Sequence, residues 1–94
     1  MNQPTVKFRR LNGKFREEVP TYATAGASGI DLTTTENCFI FPFDRQLIRT
    51  GLAVEIPLGY EGQIRPRSGL ALKAGLTVLN APGTIDADFR GEIS

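Results

Sequence analysis

An all-β fold with one short helical turn is what this chain predicts, and three observations carry that prediction. Glycine and proline, ten and six among ninety-four residues, break the sequence every few positions. The stretches between them are short and rich in β-branched and aromatic residues, at the spacing of a sandwich or barrel. Only one stretch, around Leu70-Ala71-Leu72-Lys73, is composed of strong helix formers.

Taken in order, residues 6–8 read as an edge strand. Residues 22–28 form a small-residue loop that leads into an extended stretch at 30–33. Residues 39–41, 47–49 and 52–56 read as strands, the last stopped by Pro57. A turn over 58–62 leads to a strand at 63–65. Ser68 suits a helix N-cap and Gly75 the left-handed C′ position, which bounds one helical turn that packing must hold. A strand at 76–79 precedes Pro82-Gly83, whose fixed and positive φ values suit the centre of a type II turn, so a hairpin is expected there. Residues 92–94 read as the start of a strand with no partner in view, which predicts an incomplete sheet or one completed by another chain.

Length predicts a single domain over 1–94 with a marginal core. The formal net charge of +1 gives no reason to expect nucleic acid or an anionic membrane as partner. Arginine outnumbers lysine, a lean toward phosphate or carboxylate recognition. Histidine is absent, so acid–base work falls to carboxylates, Lys, Tyr or the one cysteine. Cys38 alone cannot close an intrachain disulfide and reads as a small buried hydrophobe on a strand, in keeping with a reducing cytoplasm. No apolar run approaches the roughly 20 residues of a membrane helix, and the start lacks the pattern of a signal peptide.

Four constellations carry chemistry. Arg67-Ser68-Gly69 offers a guanidinium, a hydroxyl and N–H groups at a helix start, a setting for phosphate, or else a capped turn with a surface arginine. Asn80 with Gly83, Thr84 and Ile85 offers an amide and backbone groups to the edge of a planar ring, or else a plain connecting hairpin. Asp86 and Asp88 fall on one face of a strand by alternation, with Ile85, Ala87 and Phe89 on the other. They are candidates for acid–base work or magnesium, or for pairing with Arg90. Asp31, close behind Gly29, is a site candidate or an Asx-turn residue.

Together these segments resemble the trimeric deoxyuridine triphosphatases (dUTPases). Gly29-Ile30-Asp31-Leu32 is similar to the family's first signature, and Pro66-Arg67-Ser68-Gly69-Leu70-Ala71 to its second. Residues 80–93 resemble the third. The resemblance implies a jelly-roll-like (β-clip) fold, a homotrimer with sites shared between subunits, and magnesium-dependent hydrolysis of dUTP to dUMP and pyrophosphate. Under it, Asp86 would orient and activate the water that attacks the α-phosphate and would bond the 3′-hydroxyl. Asn80, Gly83, Thr84 and Ile85 would read uracil, and Arg67, Ser68 and Gly69 would hold phosphates at a neighbouring subunit. Asp31 would bond water on the magnesium, and the Ser94 main chain would add a further contact. Phe89 stands where the family usually has tyrosine beneath the deoxyribose. If Phe89 and Asp86 touch one sugar, the strand between them must bend or carry a bulge.

The family's fourth signature and glycine-rich C-terminal arm have no counterpart in these residues, so little activity is expected of the chain alone. Two other readings compete: a catalytically silent nucleotide-binding or assembly module of the same fold, and the related dCTP deaminase. Deaminase chemistry expects a second serine-arginine pair after Ser68, where Gly69-Leu70-Ala71 stands instead.

Overall fold

The computed structural model of the chain describes residues 3–11 and 20–94. Its elements are β1 (Lys7–Arg10), β2 (Leu52–Glu55), β3 (Gly62–Ile64), α1 (Ser68–Ala74) and β4 (Gly83–Ile85). They form two two-stranded sheets, β1 with β2 and β3 with β4. The chain divides into two compact units, each discontinuous in sequence. One joins Met1–Lys7 to Glu55–Phe89, and the other joins Phe8–Val54 to Arg90–Ser94.

In the second unit, β2 supplies the buried residues Leu52, Ala53 and Val54, with Ile93 beside them. Glu92 bridges Ala53 in antiparallel fashion, so the stretch at 92–94 does have a partner. Four hydrogen bonds clasp it. The Ile93 N–H donates to the Leu52 carbonyl at 2.8 Å, and the Thr50 N–H and hydroxyl donate to the Ile93 carbonyl at 3.3 and 2.7 Å. The Gly51 N–H donates to the Glu92 carboxylate at 2.9 Å. With its backbone paired, Ile93 is buried at about 1.5–3 kcal/mol of apolar stabilisation relative to an exposed side chain.

In the first unit, β3 and β4 run antiparallel with Gly62 opposite Ile85, Gln63 opposite Thr84 and Ile64 opposite Gly83. Gly62 is required by close approach. A Cβ there would lie 2.7 Å from Ile56 Cδ1 and 3.1 Å from Ile85 Cβ, so its absence lets the two isoleucines close over the strand. The strand that pairs with β4 is therefore β3, across α1, and the hairpin expected with residues 76–79 is not formed. Residues 76–79 make no strand; a turn closed from the Ala81 N–H to the Val78 carbonyl ends them.

The expected helix is α1, shifted by one residue at its start. Arg67, with extended backbone (φ −88°, ψ 130°), is the N-cap, and Ser68 is the first helical residue with no side-chain capping bond. Gly75 closes the helix at φ 66°, as its freedom from a Cβ allows, and Lys73 sits in the last turn, where the dipole favours a cation.

Three other expected extended elements form no ladder: residues 30–33, 39–41 and 47–49. Cys38 is exposed rather than buried, because the strand expected to carry it has no neighbour to cover it. The core is small in consequence. Only Leu52, Ala53, Val54, Ile56 and Ile93 are buried apolar residues among those described. No helix among the described residues is long and apolar enough to cross a membrane.

Candidate active site around Asp86

The first unit holds nine of the expected site residues on two elements and the turns beside them. Gly83 begins β4 and is buried. A Cβ added there would stand 3.4 Å from both Asn80 Nδ2 and Ile64 Cβ, so the Asn80 amide lies directly over the glycine. Gly83 has no positive φ, which overturns the type II turn expected at Pro82-Gly83. The reason for glycine is closeness to Asn80, not backbone handedness. Thr84 is exposed and Ile85 half-buried, the alternation of a strand with one covered face.

The strand stops at Ile85 and gives way to a turn. The Phe89 N–H donates to the Asp86 carbonyl at 3.0 Å, with Ala87 and Asp88 at the centre. Asp86 and Asp88 therefore do not share a strand face as alternation predicted. A turn, not a bulge, lies between Asp86 and Phe89. Aspartate at the first position of such a turn is a common signal, and it could have located this one. Both Asp86 and Phe89 are exposed. Among the described residues the Asp86 carboxylate accepts no hydrogen bond and faces no ion-pair partner.

Arg67, Ser68 and Gly69 open α1 and are exposed. The helical ladder begins with the Ala71 N–H donating to the Arg67 carbonyl at 2.9 Å, so the N–H groups of Ser68, Gly69 and Leu70 stand outside it. Nothing lies within 4 Å of a Cβ placed on Gly69. Asp31 and Ser94 belong to the second unit, where both are exposed. Ser94 comes directly after the clasped Ile93. That clasp escaped the sequence reading, since Gly51 and Glu92 lie 41 residues apart and carry no local signal. Among the described residues no group of three or more acidic or cysteine side chains is arranged to hold a metal ion.

A family model described as dUTPase matches residues 16–94. The chain belongs to the dUTPase family. It is 61% identical over 89 residues to a protein of Hydrogenobaculum sp. (strain Y04AAS1) named deoxyuridine 5'-triphosphate nucleotidohydrolase, covering 92% of this chain and 62% of that one. Similar proteins of the same name occur in Aquifex aeolicus (strain VF5) and Anaeromyxobacter sp. (strain Fw109-5). They are 57% and 53% identical, covering 99% and 95% of this chain and 63% and 61% of theirs. This dUTPase chain thus spans about three-fifths of the length of these curated relatives.

Proposed function

We propose that the chain is the greater part of a single dUTPase domain that hydrolyses dUTP to dUMP and pyrophosphate, with Asp86 as general base. The observation that supports this best is the Asp86 carboxylate itself, exposed and, among the described residues, unpaired just past the end of β4, three residues after the glycine that lies against Asn80.

In this reading a water accepted by Asp86 attacks the α-phosphorus. The proton passes to the carboxylate, and the bond to the β-phosphate oxygen breaks to release pyrophosphate. Holding that water in line contributes more than basicity, since positioning alone is worth up to about 7–11 kcal/mol of barrier. The base itself adds roughly 10²–10⁴ in rate. Asn80 and the backbone of Gly83, Thr84 and Ile85 bind the uracil edge, with too little room for a thymine methyl. Phe89 lies under the deoxyribose as an apolar plate and lacks only the phenolic hydrogen bond of tyrosine. Arg67, Ser68 and Gly69 hold phosphates at the site of a neighbouring subunit in a homotrimer, and the Ser94 main chain adds a contact.

Magnesium suits this donor set as an ion carried on the substrate's phosphates. It keeps most of its waters and needs few protein carboxylates, so Asp31 would engage it through water. When bound it would neutralise phosphate charge. The enzyme would work in the cytoplasm, without a nucleic-acid or membrane partner.

A coupled pyrophosphate assay with dUTP, dTTP and UTP tests the reading. Release from dUTP, at least a hundredfold faster than from the other two, is expected of a chain extended to the length of the relatives. Binding of dUMP without any release would make the protein a silent nucleotide-binding module instead. Ammonia release from dCTP would make it a deaminase.

A further inference from the structure

We infer that Thr50 and Glu92 are positioning residues. They fix the peptide between Ile93 and Ser94 so that the Ser94 N–H is presented to an acceptor oxygen of the nucleotide. The inference rests on the dUTPase reading above and adds to it two residues, neither of which touches substrate.

All the groups involved belong to the second unit. The Ile93 N–H donates to the Leu52 carbonyl, and the Ile93 carbonyl takes two donors from Thr50, the N–H at 3.3 Å and the hydroxyl at 2.7 Å. A carbonyl oxygen has two acceptor sites, so this one is filled. The Thr50 hydroxyl is itself held, since it accepts from the Leu52 N–H at 3.2 Å, which leaves its proton for Ile93. One residue earlier the Glu92 carboxylate accepts from the Gly51 N–H at 2.9 Å and anchors the approach to this peptide.

A trans peptide is planar, with its carbonyl and its N–H on opposite sides. The bond between Ile93 and Ser94 is trans. With the Ile93 carbonyl turned to Thr50 and held there twice, the Ser94 N–H in the same plane is turned away from Thr50. It makes no hydrogen bond among the described residues, and Ser94 is exposed. A donor fixed in direction and left unpaired needs little reorganisation when a ligand oxygen arrives. A base carbonyl and a phosphate oxygen both suit such a donor.

The test uses a chain extended to the length of the relatives and follows hydrogen exchange at the Ser94 amide by nuclear magnetic resonance. Saturating dUMP is expected to slow that exchange at least tenfold in the unsubstituted protein and in Thr50→Ser, which keeps the hydroxyl. In Thr50→Val, which loses it, the slowing should be less than threefold. The dissociation constant for dUMP should rise about three- to tenfold in Thr50→Val, the worth of one hydrogen bond. Glu92→Ala should show the same loss of protection and decides the matter if Thr50→Val does not fold. Val54→Ala, a buried change on β2 outside the clasp, should lower the urea midpoint and leave the tenfold protection intact. Slowing by deoxyuridine alone would place the acceptor on the nucleoside, and slowing by dUMP but not deoxyuridine would place it on the phosphate; either supports the inference. A Ser94 amide protected before nucleotide is added, or unprotected with dUMP bound, would overturn it. So would full protection in Thr50→Val, or equal loss in Val54→Ala. Where dUTP is hydrolysed and Ser94 stays unprotected, the positioning role falls alone. Where dUMP does not bind and dUTP is not hydrolysed, the dUTPase reading falls and takes this role with it.

Discussion

Asp86 carries the strongest residue-scale prediction. In a chain with the full length of the relatives, Asp86→Asn should lower the rate of pyrophosphate release by about 10²–10⁴ or more while the dissociation constant for dUTP changes little. Calorimetric titration beside the pyrophosphate assay separates the two effects, and undiminished release would remove Asp86 from its role. Gly62 makes a structural prediction of similar sharpness. Gly62→Ala sets a methyl 2.7 Å from Ile56 Cδ1, and overpacking of that kind costs about 1–3 kcal/mol, readable as a lower urea midpoint. Phe43 predicts a gain. It holds φ 64° after Pro42, a left-handed position where a Cβ is costly, so Phe43→Gly should stabilise the chain by about 1 kcal/mol in the same experiment.

At the scale of elements, α1 depends on its ends and on what covers it. None of its seven residues is buried, and a helix this short does not persist through propensity alone. Gly75→Ala places a Cβ at φ 66° and should cost about 1 kcal/mol, seen as loss of helical circular dichroism at lower temperature. Legibility in the sequence obeys the same logic. β2, β3 and α1 are legible because each carries its own signals: a mostly apolar run ended by Pro57, a turn at Gly59, and good helix formers ended by Gly75. β1 was placed within two residues. Residues 39–41, 47–49 and 76–79 have strand-like composition too, yet a ladder needs a partner, and composition does not say whether one is within reach. A bend or bulge between Asp86 and Phe89 is expected only if both touch one sugar, and strict alternation, which holds no further than the strand itself, does not show the turn that follows Ile85. Pro82-Gly83 predicts a type II turn, whereas closeness to Asn80 is what requires glycine at 83.

For the molecule as a whole, the uncovered apolar surface is the dominant physical fact. Among the described residues five apolar side chains are buried while fifteen large hydrophobic ones are exposed, so much is left to cover, whether with further strands or further subunits. The 94-residue chain alone should therefore release pyrophosphate at least a hundredfold more slowly than a form of the relatives' length, since an open site excludes water poorly. Comparable rates for the two forms would contradict this. If sites are shared between subunits, sedimentation of the longer form should give three times the monomer mass, and turnover should fall on dilution into monomers.

The chain contains no tryptophan, and Phe43 stands clear of everything else at its turn. An indole placed there would be the sole long-wavelength emitter in the molecule, at a position that an aromatic ring already occupies. Its colour would then register directly whether that tip is wet or covered, in a cuvette and within milliseconds.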